Sequence, residues 1–189
     1  MSSHVTTEEE LLRHYGAPHP DMLRKQIDRL DEHARRWIAA SPFLLLATLG
    51  PGGLDVSPKG DAPGFVRVLD ERTLLLPDRP GNRRLDGLRN ILADPRVGLL
   101  FLVPGRSESF RVNGRAAISL DDELRTLCAQ DGKPAMSVIR IAVEEVFLHC
   151  GRSLRAADLW NPERRRGPDD LAAPGAVLKA HLALAGKER

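Results

Sequence analysis

Cysteine is nearly absent from this chain, with Cys128 and Cys150 the only two in 189 residues. Two thiols cannot build a disulfide framework or supply four ligands to a structural zinc, so a reducing cytoplasm is the expected setting. Charge of one sign is missing as well. The 28 lysines and arginines face 26 aspartates and glutamates, a formal net charge of +2, which gives no general attraction to nucleic acid or an anionic membrane. Long apolar runs are also lacking: residues 43–49 and 97–103 fall far short of the ~20 residues that span a bilayer. The N-terminal MSSHVTTEEELLRHYG has neither the basic start nor the apolar stretch of a secretory signal, so no export is expected.

What the chain does contain is ordinary core-forming material. Hydrophobic residues make up 42% and charged residues 29%, enough for one continuous core with added terminal helices. Thr7, followed by three glutamates, reads as the N-cap of a short first helix. From Asp21 the apolar positions Met22, Ile27, Leu30, Ala34, Trp37 and Ile38 recur at three- and four-residue steps, which predicts one amphipathic helix ending near Ala40, ahead of Ser41-Pro42.

The pattern then changes to short β-like runs divided by turn residues, beginning with residues 43–49 and the Gly50-Pro51-Gly52-Gly53 turn. Further strands are predicted at 54–57, 65–69, 73–76, 97–103, 109–119 and 138–149. Repeated short strands favour a barrel over a parallel sheet. Two helices interrupt them, one starting at Asn82 and reaching Asp94-Pro95, the other beginning at Asp121. A polar linker follows Trp160, and a last helix is expected over 175–185. The organisation read from this is a helical extension over 1–40, a barrel over 41–160, and a linker with a C-terminal helix over 161–189, forming one domain overall.

The turn Pro77-Asp78-Arg79-Pro80-Gly81-Asn82-Arg83-Arg84 carries the most chemistry. With Asn82 as N-cap, Arg83 and Arg84 would fall in the first helical turn, where the dipole and unpaired N–H groups are already positive. Each cation there costs roughly 0.3–1 kcal/mol. A phosphate would relieve both, through N–H groups at the helix start and bidentate guanidinium bonds. Pairing with Asp78 and Asp86, or simple exposure, is the plain alternative. Lys59 and Arg67 would add charge beside the same anion, and Ser57 and Gly60 would let backbone approach a ligand.

Taken in order, Ser41-Pro42-Phe43, Val56-Ser57-Pro58-Lys59-Gly60-Asp61, the basic turn, Asn90-Ile91-Leu92 and Arg111-Val112-Asn113-Gly114-Arg115 resemble the pyridoxamine 5'-phosphate oxidase-like FMN-binding proteins. The resemblance runs from about Leu11 to Trp160. It implies a mainly β, α+β fold, a Greek-key split β-barrel with peripheral helices, and a homodimer with FMN at the subunit interface. It further implies that Asn82, Arg83 and Arg84 hold the flavin phosphate, that Ser57, Lys59, Val66 and Arg67 contact the ribityl chain and ring, and that Pro77 lies at the cofactor. Glu108 and Arg111 would reach the site from the second subunit. Arg152, in the segment Phe147 to Arg155, and Trp160 would close it near the ring.

The expected activity is therefore FMN-dependent hydride or electron transfer with a small molecule, with a nicotinamide nucleotide as a possible donor and no assigned catalytic residue. No Arg-Pro terminal segment of the kind that recognises pyridoxamine phosphate is present, so vitamin B6 chemistry is not expected. Two rivals stay open. A deazaflavin or haem would use the same barrel, haem making His149 or His181 an axial ligand, and Arg164, Arg165 and Arg166 would serve a nucleic-acid or interaction module. The adjacent His149 and Cys150 lack a compatible third ligand, so no metal site is expected.

Overall fold

The computed structural model describes residues 4–186. The chain divides into two units, Met1–Gly151 and Arg152–Arg189. The first is built on seven strands: β1 (Phe43–Gly50), β2 (Gly53–Gly60), β3 (Arg67–Val68), β4 (Thr73–Asp78), β5 (Arg96–Leu102), β6 (Ser109–Ser119) and β7 (Ser137–His149). They form one sheet in the order β2-β1-β5-β6-β7-β4-β3, and every neighbouring pair is antiparallel. β2 and β3 are its edges and no ladder joins them. This is the split antiparallel barrel that the sequence implied, curled but not closed.

Strand alternation places the core. Leu44 and Leu46 of β1, Val97, Leu99 and Phe101 of β5, and Phe110, Val112 and Ala116 of β6 point inward together with Ile139, Ile141, Val143 and Val146 of β7. β4 is buried along both faces from Thr73 to Pro77. Leu75 faces outward there into a smaller cluster with Cys128, Ala135 and Val138, covered by α5 (Asp122–Leu127), which Asp121 caps as expected.

The N-terminal helices depart from the periodic pattern. α1 (Glu8–Tyr15) starts at Thr7 with a complete capping box involving Glu10. The single helix expected from Asp21 to Ala40 is instead two, α2 (Pro20–Arg24) and α3 (Glu32–Ala40). Between them Ile27 exchanges both backbone hydrogen bonds with Val146 of β7, at 3.0 and 2.7 Å, and Leu30 N–H donates to the Glu71 carbonyl at 2.7 Å. Those tertiary bonds outweigh the helical propensity of the segment. Asp31 then restarts the helix, its side chain accepting from Ala34 N–H at 2.7 Å, and α3 buries Ala34 and Ile38 against the barrel.

Two other boundaries move. β2 continues three residues beyond the expected end at Ser57, because Pro58 sits on an edge strand where a missing N–H is tolerated. β3 shrinks to Arg67–Val68. The second unit holds α6 (Arg152–Ala156), a 3-10 turn over Pro162–Arg164 and α7 (Pro174–Ala185). Within it Arg164 pairs with Asp158 at 3.3 Å. No helix among the described residues is long and apolar enough to cross a membrane.

The β6–β7 ladder, the longest in the sheet, changes register between Asn113 and Gly114. A Cβ added at Gly114 would lie 2.1 Å from the Ala142 carbonyl oxygen, an approach that backbone on both sides cannot relieve cheaply. Gly114→Ala is expected to lower stability by about 1–3 kcal/mol in urea unfolding. An unchanged midpoint would show that the strands separate easily at this point.

Candidate functional site

The open seam of the barrel is where the charged groups gather. β2 places Asp55, Ser57 and Lys59 on one half-buried face by simple two-residue alternation, with Asp61 just beyond the strand. Lys59 Nζ donates to Asp78 Oδ1 at 3.1 Å, at the end of β4. Arg79 meets Asp61 Oδ2 through Nε and Nη2, both at 3.3 Å, and Gln130 donates to the other Asp61 oxygen. β1, β5, β6 and β7 separate β2 from β4 in the sheet. Side chains therefore tie two strands that the backbone does not join.

Above these pairs lies a cleft of about 620 Å³, within the size range of small-molecule sites. Leu46, Leu88, Met136 and Ile139 supply apolar walls, and the turn Pro80–Arg84 forms the rim with Ser57 and Lys59 opposite. Lys59, Arg79, Arg83 and Arg84 line it together with Asp55, Asp78 and Asp86, so its charge is nearly balanced.

The turn itself differs from the expected helix start. Asn82 Oδ1 accepts from Arg84 N–H at 3.1 Å, closing a local turn instead of capping a helix. Arg83 and Leu85 have φ of 61° and 62°. Left-handed residues cannot continue a right-handed helix, so α4 (Asp86–Ala93) begins only at Asp86. Arg83 and Arg84 precede its first turn and do not enter it. Two side-chain-bearing residues in this conformation store local strain of order 1–2 kcal/mol each.

Arg84 Nε donates to Asp86 Oδ2 at 2.6 Å. That hydrogen bond, then the charges of Asp86 and Asp55, raise the pKa of Arg84 above its ordinary value. Asp86 is also the acidic residue in the first turn of α4, where the dipole favours it. Arg83 is exposed and makes no ion pair or hydrogen bond through its side chain among the described residues.

Of the residues singled out in the sequence, the cleft brings together Ser57, Lys59, Asn82, Arg83 and Arg84. Val66 is 3% exposed and packs in the core. Arg67 lines a neighbouring recess of about 80 Å³ with Asp61, Arg79 and Cys128. Pro77 is buried opposite Val138. Glu108 accepts from Ser107 at 3.1 Å and lies 3.7 Å from Arg106, while Arg111 sits over the Phe147 ring. Arg152 and Trp160 belong to the second unit. Sequence reasoning passed over Asp55 and Arg79 as site residues and Asp61 as their neighbour. The signal for Asp55 was the period of two that it shares with Ser57 and Lys59, which runs on through Pro58 past the expected strand end at Ser57.

The family model for pyridoxamine 5'-phosphate oxidase matches residues 30–150. Among solved structures, HupZ from Group A Streptococcus is 19% identical, with 62% of this chain and 92% of that chain covered and a TM-score of 0.51. A variant of it gives 18%, 63%, 98% and 0.52 in the same order. This likeness is one of fold alone. A FAD-binding protein from Mesorhizobium loti is 20% identical, covering 62% of this chain and 93% of that chain at a TM-score of 0.44. No curated protein matches.

The two kinds of ion pair here should respond differently to mutation. Asp61 has a side chain only 8% exposed, so Asp61→Ala, which strips Arg79 and Gln130 of their acceptor, is expected to cost about 1–3 kcal/mol in urea unfolding. Arg84→Ala, at an exposed pair, should change stability by less than about 0.5 kcal/mol. Equal effects would mean that the seam pairs are no more structural than surface ones.

Proposed function

This chain belongs to the pyridoxamine 5'-phosphate oxidase family, and from that membership we propose that its seam cleft binds FMN and serves hydride or electron transfer with a small molecule. The observation that carries the reading is Arg83, a cation without an ionic partner among the described residues, presented by a strained turn at the rim of a ligand-sized cleft. A phosphate monoester fits that donor set. Guanidinium groups bind phosphate oxygens through paired, charge-assisted hydrogen bonds, and Arg84 and Lys59 stand close by.

Leu46, Leu88 and Ile139 give the cleft apolar surface for a planar ring, and Ser57 adds a hydroxyl on the β2 side. Bound FMN would supply the redox chemistry itself, leaving the protein to bind, orient and exclude water. Of the cleft aspartates, Asp78 is held by Lys59 and Asp86 by Arg84. A nicotinamide nucleotide is the electron donor in this reading.

Haem fits less well. No histidine lines the cleft, and His149 stands at the far end of β7 from Ile139. A deazaflavin shares the phosphate chemistry and is separated by titration. The reading includes a homodimer, supported by exposed Leu54, Val56 and Met136 on and beside the cleft strands, at 81%, 59% and 57% exposure.

The purified protein is expected to be yellow or to take up added FMN, with a flavin absorption spectrum and no Soret band. Arg83→Ala should weaken FMN binding about tenfold or more, and Arg83→Ala with Arg84→Ala should abolish retention while circular dichroism stays unchanged. Unaltered affinity in the double variant, or tighter binding of a deazaflavin than of FMN, would overturn the assignment.

A further inference from the structure

Two polar side chains of the cleft have no bonding partner among the described residues. Asp55, half-buried on β2, makes no hydrogen bond or ion pair there, whereas Asp78 is held by Lys59 and Asp86 by Arg84. Ser57, two residues on and also half-buried, makes no side-chain hydrogen bond there either. Both line the cleft. The family resemblance gives Ser57 a ligand contact and Asp55 no role.

The helix α4 brings these side chains to one spot. A Cβ placed on Gly87, in its first turn, would stand 3.8 Å from Ser57 Oγ and 3.9 Å from Asp55 Oδ2. The hydroxyl and the carboxylate therefore flank a single point above the helix start, which follows directly on the turn bearing Arg83 and Arg84. Thr48, opposite Asp55 in the β1–β2 ladder, is tied to Asn90 of α4 at 3.1 Å, so the spot is fixed relative to that turn. Asp55 is also within electrostatic reach of it. The bond and charge of Asp86 raise the pKa of Arg84 first, and the charge of Asp55 adds to them.

An ionised carboxylate only accepts hydrogen bonds. Phosphate oxygens cannot satisfy Asp55 and repel it, so a phosphate seated at Arg83 leaves it in need of an O–H or N–H donor from elsewhere in the ligand. An ammonium group would meet Lys59, Arg79, Arg83 and Arg84 against three aspartates, two of them already held. A hydroxyl carries no charge and can donate to Asp55 while accepting from Ser57. A bare carbon chain in the same place would cover the carboxylate and strand it, so the spot both attracts hydroxyls and rejects chains without them.

We propose that Asp55, aided by Ser57, is the specificity-determining residue of the cleft and restricts it to phosphorylated polyols, esters whose chain carries hydroxyl groups beside the phosphate. This rests on the phosphate-binding reading of the cleft and names the class of ligand that the reading leaves open. FMN belongs to that class through its ribityl chain, as do alditol phosphates without a ring.

The test compares two esters of equal chain length, ribitol 5-phosphate and n-pentyl phosphate, by ligand-observed NMR on the full chain freed of bound ligand. Ribitol 5-phosphate should bind about tenfold more tightly. Asp55→Ala should reduce the preference to about twofold or less, by weakening the ribitol ester and not the pentyl ester, with circular dichroism unchanged. Asp55→Asn, which keeps an acceptor oxygen of the same shape, should retain a preference of about threefold. Equal binding of the two esters, a preference that survives Asp55→Ala, or binding of neither ester overturns the proposal. FMN is titrated separately. A protein that takes FMN but does not discriminate the esters refutes the role of Asp55 alone, and one that discriminates them through Asp55 but takes no FMN refutes the flavin reading alone.

Discussion

The fold depends on a seam that the backbone leaves open. In a closed barrel every edge strand finds a partner, whereas here β2 and β3 end the sheet without meeting. Lys59–Asp78 and Arg79–Asp61 span the gap instead, with side chains 26%, 16%, 26% and 8% exposed. At that depth such pairs are screened less than surface pairs and lose more when broken. Side chains also hold strands farther apart than a hydrogen-bonded ladder does. The cleft above them is the space that this wider spacing leaves, and so the site is a consequence of how the barrel is tied.

The turn over Asn82–Leu85 follows from the same geometry. The chain leaves the end of β4, at the seam, and must reach α4, which packs on β1 through Ile91 and places Asn90 Nδ2 3.1 Å from Thr48 Oγ1. Two left-handed residues make that change of direction, and neither is glycine. Asn82 steadies the bend through its own side chain, and the helix is delayed to Asp86. The delay alters the electrostatics: the acidic residue takes the first turn of α4, and the two arginines stand in front of it.

Much of this was legible in the sequence. The β1–β2 hairpin, the alternation of β6, the position of β7 and the capping residues Thr7 and Asp121 all follow from local chemistry. The misreadings share one cause, which is that local pattern was outvoted by partners far away in the chain. Residues 25–31 look helical until Ile27 pairs with Val146. The second strand looks finished at Ser57 until β2 is known to be an edge that tolerates Pro58. Asn82 looks like a helix cap because nothing local announces that Arg83 and Leu85 will turn left-handed. Within the site, Ser57, Lys59, Asn82, Arg83 and Arg84 are brought together, and the pairing of Arg84 with Asp86, two residues on, was legible locally, whereas the Lys59–Asp78 pair depends on how β2 and β4 meet across the seam, which sequence spacing does not reveal.

The double use of charge in the seam bears on which cation can receive an anionic ligand. Lys59 is already held by Asp78. A phosphate that engaged it would either share it or leave behind a carboxylate with little exposure to water, and stranding such a group costs about 1–3 kcal/mol or more. Arg79 is bound to Asp61 under the same constraint, and Arg84 gives up an exposed, more easily replaced bond to Asp86. Among the described residues Arg83 has no ionic partner to lose. One of the two left-handed residues of the cleft is thus also the one whose charge is uncommitted, so an anionic ligand would engage it without stranding a carboxylate. Because such a ligand binds the folded barrel and not the unfolded chain, its binding energy would add to the stability of the seam that creates the cleft.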